Sequence, residues 1–173
     1  MKALVTVWAD PGDTTGWSIH RVPIELLLRE GQVGAMRQVR WSSGQFRPGT
    51  TSESVDQFLD LCRAAYERLC DDEDIFVMGS EGFILRMLST EPSLLEPVRF
   101  NAVLDDRLRG TGSWAERQMP SEAMNTITDQ RLKLWGVYKP GAGHARDAQR
   151  HGLLFLRRFA ASLKLRQRYG WEG

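Results

Sequence analysis

This 173-residue chain is poor in cysteine, histidine, tyrosine and lysine, with two, three, three and four of each. Two cysteines, Cys62 and Cys70, exclude a disulfide framework and point to a reducing compartment. No apolar run approaches the ~18–20 residues of a membrane span, and Met1-Lys2-Ala3-Leu4-Val5 lacks the apolar core of a secretory leader. A cytoplasmic protein without membrane association is therefore expected. There is no internal repeat, low-complexity stretch or linker, and a length near ~150 residues predicts one domain spanning 1–173. An excess of charge of either sign is also missing. The formal balance is +1, from 23 Lys+Arg against 22 Asp+Glu.

What is present is unevenly placed. Of the 23 basic residues 19 are arginine, a bias shared by phosphate-binding proteins and by GC-rich genomes. Glu53 to Asp74 holds eight acids and two bases, a balance of −6. Arg131 to Arg168 holds ten bases and one acid, Asp147, a balance of +9. A segment of the second kind is either a solvated helix face or a phosphate-binding surface.

Residues 2–9 form a β-rich apolar run, followed by turn punctuation at Pro11-Gly12-Asp13 and a second strand over Thr15–Val22. Weak alternation predicts a third strand over 36–43, and Gly44–Ser52 reads as loop. Thr50 and Glu53 have capping-box spacing ahead of Val55, Phe58, Leu59, Cys62, Ala65, Tyr66 and Leu69, so an amphipathic helix starts here. A central strand over 75–80 follows, then a helix over Pro92–Arg109 and a short strand near Ser113–Gln118. Pro120–Ile127 and Thr128–Gly136 are helical turns. A long final helix is expected over His144–Leu165. The order βββαβαβα predicts an α/β protein with a mixed five-stranded sheet and helices on both faces.

Three acids fall where this pattern ends a strand or starts a helix. Asp10 closes the first strand, Glu81 closes the fourth, and Asp147 lies in the first turn of the last helix. Each has an ordinary reading: a turn cap, an exposed strand terminus, and a partner for the helix dipole. Together, at the ligand-binding edge of an α/β sheet, they form a set of hard oxygen donors suited to Mg²⁺ or Mn²⁺. Paired metals about 4 Å apart promote phosphodiester hydrolysis. His144 and Asp147, three apart, share a helix face with His151 one turn beyond.

Asp10-Pro11-Gly12-Asp13-Thr14-Thr15-Gly16-Trp17 resembles the first-strand signature of the RuvC-type Holliday junction resolvases, members of the RNase H-like superfamily. Ser80-Glu81-Gly82-Phe83 resembles their fourth-strand acidic motif. His144-Ala145-Arg146-Asp147-Ala148 resembles the motif of their C-terminal helix, and Met119-Pro120-Ser121-Glu122-Ala123 the segment upstream of it. The resemblance spans about residues 3–160 and is closest to the shorter, divergent resolvases of actinobacterial bacteriophages, for which the compartment would be the host cytoplasm.

The resemblance implies an RNase H-like fold with Asp10, Glu81, His144 and Asp147 as catalytic and metal-binding residues. It also implies two Mg²⁺ ions per site, replaceable by Mn²⁺. Its substrate would be branched DNA, meaning four-way junctions and flaps, cut by a homodimer whose two-fold axis matches the junction. The dimer face would be the 92–109 helix with Leu94, Leu95, Val98, Val103 and Leu104, residues that ordinary packing on the sheet would equally use.

Phe83 and Arg86 in the loop after Glu81, with Arg131, Lys133, Lys139, Arg146 and Arg150, form the candidate DNA-binding set. Trp135 and Tyr138 either stack on an unpaired base or pack in the core. The sequence departs from the family at Met124-Asn125, where a lysine usually steadies the scissile phosphate; Arg131 and Lys133 are the available substitutes.

Three rivals share these residues. An actin-like ATPase or sugar kinase would need two such domains, which 173 residues do not supply. A same-fold nuclease acting on RNA or an RNA–DNA hybrid would use the same acids. A non-catalytic DNA-binding module would leave them stranded at a cost in stability.

Overall fold

The computed structural model describes residues 1–29, 31–83 and 92–171. Strands β1 (Ala3–Asp10) and β2 (Thr15–Pro23) form an antiparallel hairpin that β3 (Arg40–Phe46) extends. Two short helices, α1 (Ile24–Arg29) and α2 (Gly31–Arg37), lie between β2 and β3. Helix α3 (Thr51–Leu69) leads into β4 (Ile75–Glu81), which pairs parallel with β1, and α4 (Pro92–Leu108) leads into β5 (Ala115–Gln118), parallel with β4. The remaining elements are α5 (Pro120–Thr126), α6 (Asp129–Leu134), α7 (Gly143–Ala161) and α8 (Leu163–Arg168). The sheet order is β3-β2-β1-β4-β5, the mixed five-stranded arrangement that the element pattern predicts.

Because side chains alternate along a strand, β1 divides its residues between two cores. Leu4 and Trp8 join Leu153, Leu154, Phe155 and Phe159 of α7 on one face. Val7 and Ala9 join Phe58 of α3 and Phe100 and Leu104 of α4 on the other. Each fully buried large apolar side chain contributes about 1.5–3 kcal/mol. Helices on both faces follow from a central strand that is apolar on both sides.

Two glycines set how closely α7 crosses the hairpin. A Cβ at Gly16 would stand 2.1 Å from the His144 carbonyl carbon, and one at Gly152 would stand 2.2 Å from His20 Cε1. The sequence therefore lets backbone meet backbone at the start of α7 and lets a buried imidazole sit under its middle.

Helix α3 begins with the expected capping box: the Glu53 N–H donates to Thr50 Oγ1 at 3.2 Å and the Thr50 N–H donates to Glu53 Oε2 at 3.1 Å. Cys62 is core filler at 4 % exposure.

Three local expectations are revised, and helices α1 and α2 are additions to them. The third strand runs over 40–46 rather than 36–43, so Gly44–Phe46 is strand and not loop. Ala35 and Met36 instead bury themselves from a helix. As an edge strand, β3 buries no residue fully, and so carries no strong periodicity. Helix α1 buries Ile24 and Leu27, a spacing of three too short to stand out. The final helix stops at Ala161, because the Ser162 side chain caps α8 by accepting from the Leu165 N–H at 3.2 Å. No described helix is long and apolar enough to cross a membrane.

Candidate active site

The last residue of β1, Asp10, has the same parity as Thr6 and Trp8 and so faces α7. The same alternation puts Glu81 with Ile75 and Val77 on that face, while Ser80 turns the other way and donates to Asn101 Oδ1 of α4 at 2.5 Å. The Asn101 side-chain amide in turn donates to the Glu81 carbonyl at 2.8 Å, fixing the strand end. The parallel β1–β4 register pairs Ala9 with Ser80, so Asp10 and Glu81 leave neighbouring strands one step later. Above them α7 presents His144, Asp147 and His151, at intervals of three and four.

Each acid meets a base from this one helix. His144 Nδ1 lies 2.7 Å from Asp10 Oδ2, and His151 Nε2 lies 3.3 Å from Glu81 Oε2. Arg150 donates through one guanidinium nitrogen to Asp147 Oδ1. His151 is buried, stacked on Trp8 with ring centroids 6.0 Å apart, and its Nδ1 lies 3.3 Å from Gln118 Oε1 at the end of β5.

The electrostatics follow from this crowding. Burial pushes the Asp10 carboxyl up to about 6, opposed by its hydrogen bond with His144 and reinforced by the negative charges of Glu81 and Asp147. The hydrogen bond with Asp10 holds His144 above the usual histidine value. A buried acid that ionises reluctantly beside two more carboxylates is a place where added positive charge is favourable.

The donor chemistry, three carboxylates and an imidazole, thus fits a hard divalent cation. Among the described residues, however, no three His, Cys, Asp or Glu side chains stand as a ready-made metal group. The acids gather at one edge but are engaged with α7 bases.

Comparisons with known proteins bear on this arrangement. No family model matches the chain, and no curated protein sequence matches it. Among solved structures, Thermus thermophilus RuvC in complex with a Holliday junction substrate superposes with a TM-score of 0.59 at 11 % identity, covering 91 % of this chain and 96 % of that one. A second Thermus thermophilus RuvC structure superposes at 0.56, again with 11 % identity, covering 96 % and 97 %. The fold is RuvC-like. At this identity the likeness concerns the path of the chain and not its chemistry.

The other candidate residues are distributed around the start of α7. Arg131, Lys133 and Lys139 are exposed and Arg146 is half-buried. Tyr138 is flanked by two cations, Lys133 Nζ at 4.9 Å and the Arg146 guanidinium carbon at 5.6 Å from its ring centroid. Trp135, by contrast, is 4 % exposed and belongs to the core. Phe83 is half-buried beside the site, and Arg86 lies outside the described residues.

Arg150 is turned inward, at 8 % exposure, with its donors spent on Asp147, Asp129 and the Ile127 carbonyl. Of the supposed dimer face, Leu104 is fully buried in the α3–α4 core and Val103 packs against it, while the Leu94 side chain lies outside the described residues.

Sequence reasoning placed His151 on the helix face of His144 and Asp147 without giving it a role, and passed over Gln118 and Asp129. The first had a signal, since it stands seven residues beyond His144 and four beyond Asp147. The other two become neighbours of the site only through tertiary contact.

Proposed function

We propose that residues 1–173 act as one RNase H-like nuclease domain, a divalent-metal-dependent endonuclease selective for branched DNA such as the four-way junction. The observation that carries this reading is the meeting of Asp10, Glu81, His144 and Asp147 at one sheet edge, with Asp10 raised by burial among like charges. A solved protein of the same fold is bound to a Holliday junction, and that substrate class is carried to this chain as part of the proposal.

In this reading Asp10, Glu81 and Asp147 hold Mg²⁺ or Mn²⁺, with His144 as a fourth ligand or proton carrier. Bound metal would supply Lewis-acid stabilisation of phosphate charge and a more acidic water. His144 is suited to proton movement because Asp10 anchors its Nδ1 while the ring remains 49 % exposed toward solvent. Trp8 and the buried His151 close the inner side of the site and keep Glu81 aimed at its neighbours.

Arg131, Lys133, Lys139 and Arg146 offer phosphate contacts that do not read sequence. Tyr138, already flanked by cations, is the aromatic placed to stack on an unpaired base. A homodimer would supply two such sites for symmetric cuts.

The test incubates the protein and Mg²⁺ with four-way junction, flap, duplex and RNA–DNA hybrid substrates in parallel. Junction cleavage lost in Asp10→Asn and Asp147→Asn, with folding retained, is expected. Cleavage of the hybrid alone would move the protein to RNA-directed chemistry. Cleavage that persists in both variants would remove these acids from the reaction.

A further inference from the structure

Resting on the metal-dependent reading above, the geometry points to a latch: Arg150 holds Asp147 when no metal is bound, and Asp129 takes over Arg150 when Asp147 turns to the cation. The guanidinium of Arg150 is shared. One nitrogen donates to Asp147 Oδ1, a second to Asp129 Oδ1, and Nε to the Ile127 carbonyl at 3.0 Å. Its side chain is 10 % exposed, whereas those of Asp147 and Asp129 are 32 % and 43 % exposed. The arginine is thus the fixed member and the acids are the ones with room to move.

The charges explain why two acids are needed. A buried arginine that lost its only counter-ion would be strongly unfavourable. A cation entering beside Asp10 and Glu81 would both attract Asp147 and repel Arg150. With Asp129 in place, Arg150 keeps a carboxylate partner and a backbone carbonyl when Asp147 leaves. Asp129 is itself steadied by Arg146, whose Nε lies 3.7 Å from the same Oδ1, and by its position in the first turn of α6. Asp129 and Arg150 are positioning residues that act through Asp147.

This arrangement makes the sign of each substitution specific. Asp129→Asn leaves Asp147 as the one carboxylate on Arg150, so Asp147 is held more firmly and metal binding weakens. Arg150→Met keeps much of the stem but removes the competitor, so metal binding tightens. In the Arg150→Met background, Asp129→Asn has nothing to act through and its effect disappears.

The experiment titrates the full-length chain with Mn²⁺ by calorimetry, with electron paramagnetic resonance of free Mn²⁺ as a second readout, for wild type, Asp10→Asn, Asp129→Asn, Arg150→Met and the double variant. A loss of affinity of about tenfold in Asp129→Asn is expected, the scale typical of residues that orient metal ligands. The Mn²⁺ concentration for half-maximal cleavage should shift by the same factor, and the double variant should match Arg150→Met. Unchanged or tighter binding in Asp129→Asn overturns the latch, as does a weakening that persists without Arg150. Asp129 is at the surface, so its variant keeps the test decisive even if Arg150→Met does not fold. If wild type binds no Mn²⁺ that Asp10→Asn abolishes, the metal-dependent reading itself falls and the latch with it.

Discussion

Replacing Asp10 with asparagine should stabilise the metal-free protein while abolishing cleavage. Asp10 is 6 % exposed, and its carboxyl is raised from 3.8 to about 6, chiefly by burial. A carboxyl held above its unfolded value binds its proton more tightly in the folded state. Its stabilising contribution is therefore complete below pH 3.8 and is lost as pH rises through about 6. A shift of roughly two units corresponds to about 3 kcal/mol lost at neutral and alkaline pH. His144, also held above its usual value, loses its charge as pH rises further and offsets Asp10 less.

Asparagine is uncharged throughout and forfeits only part of the hydrogen bond with the half-exposed His144, worth about 1 kcal/mol. The net gain is about 2 kcal/mol, or about 4–8 °C in melting temperature for a chain of this size. Calorimetry in EDTA near pH 8 and near pH 5 measures it. The variant should melt higher near pH 8 and the gap should narrow near pH 5. Added Mg²⁺ should raise the melting temperature of wild type but not of the variant. A variant that melts below wild type near pH 8, or a gap that ignores pH, refutes the reasoning.

Other outcomes follow from single contacts. Gly152→Ala should lower the melting temperature, with an overpacking cost of about 1–3 kcal/mol, because the new Cβ would stand 2.2 Å from His20 Cε1. Helix propensity alone predicts the opposite sign, so a raised melting temperature would show that the α7–β2 approach is not tight. His151→Leu should keep the apolar stack on Trp8 but release Glu81, reducing cleavage about tenfold and raising the metal requirement; unchanged metal dependence would exclude a positioning role. Junction affinity should fall with salt at a logarithmic slope of about −3 to −4 per chain if Arg131, Lys133, Lys139 and Arg146 are the phosphate contacts. A slope near −8 would mean that most of the basic segment touches DNA.

The strands that carry the acids were readable because both faces of β1 are buried, leaving an apolar run with a charged residue at its end. The same holds for β4, where alternation sends Glu81 to the α7 side. The α3 cap was readable because Thr50 and Glu53 satisfy each other locally. What could not be read were features decided across the fold. The edge strand β3 lacks a periodic signature because one side meets solvent, and α1 and α2 are too short to carry one. Arg150 looked like a DNA ligand because a basic run in a helix does not reveal which residue turns inward; that depends on Ile127 and Asp129, about twenty residues away.

The net charge has a structural counterpart at the site. Arginines that make the C-terminal quarter basic are partly paired within the chain: the buried Arg150 with Asp147 and Asp129, and at the surface Arg158 with Glu122 at 3.0 Å and Arg168 with Glu116 at 3.1 Å. The count of +9 therefore overstates the unpaired positive charge of this segment, and two of its bases, Lys133 and Arg146, flank Tyr138. The acids at the site are matched in the same way, each by a base on α7. One helix thus does two electrostatic tasks. Its N-terminal turns and the loop before them offer cations to solvent, while residues 144, 150 and 151 contact carboxylates. Each of the three acids thus has a partner in the folded protein without metal, and under the proposed function a divalent cation would compete with those partners for the carboxylates.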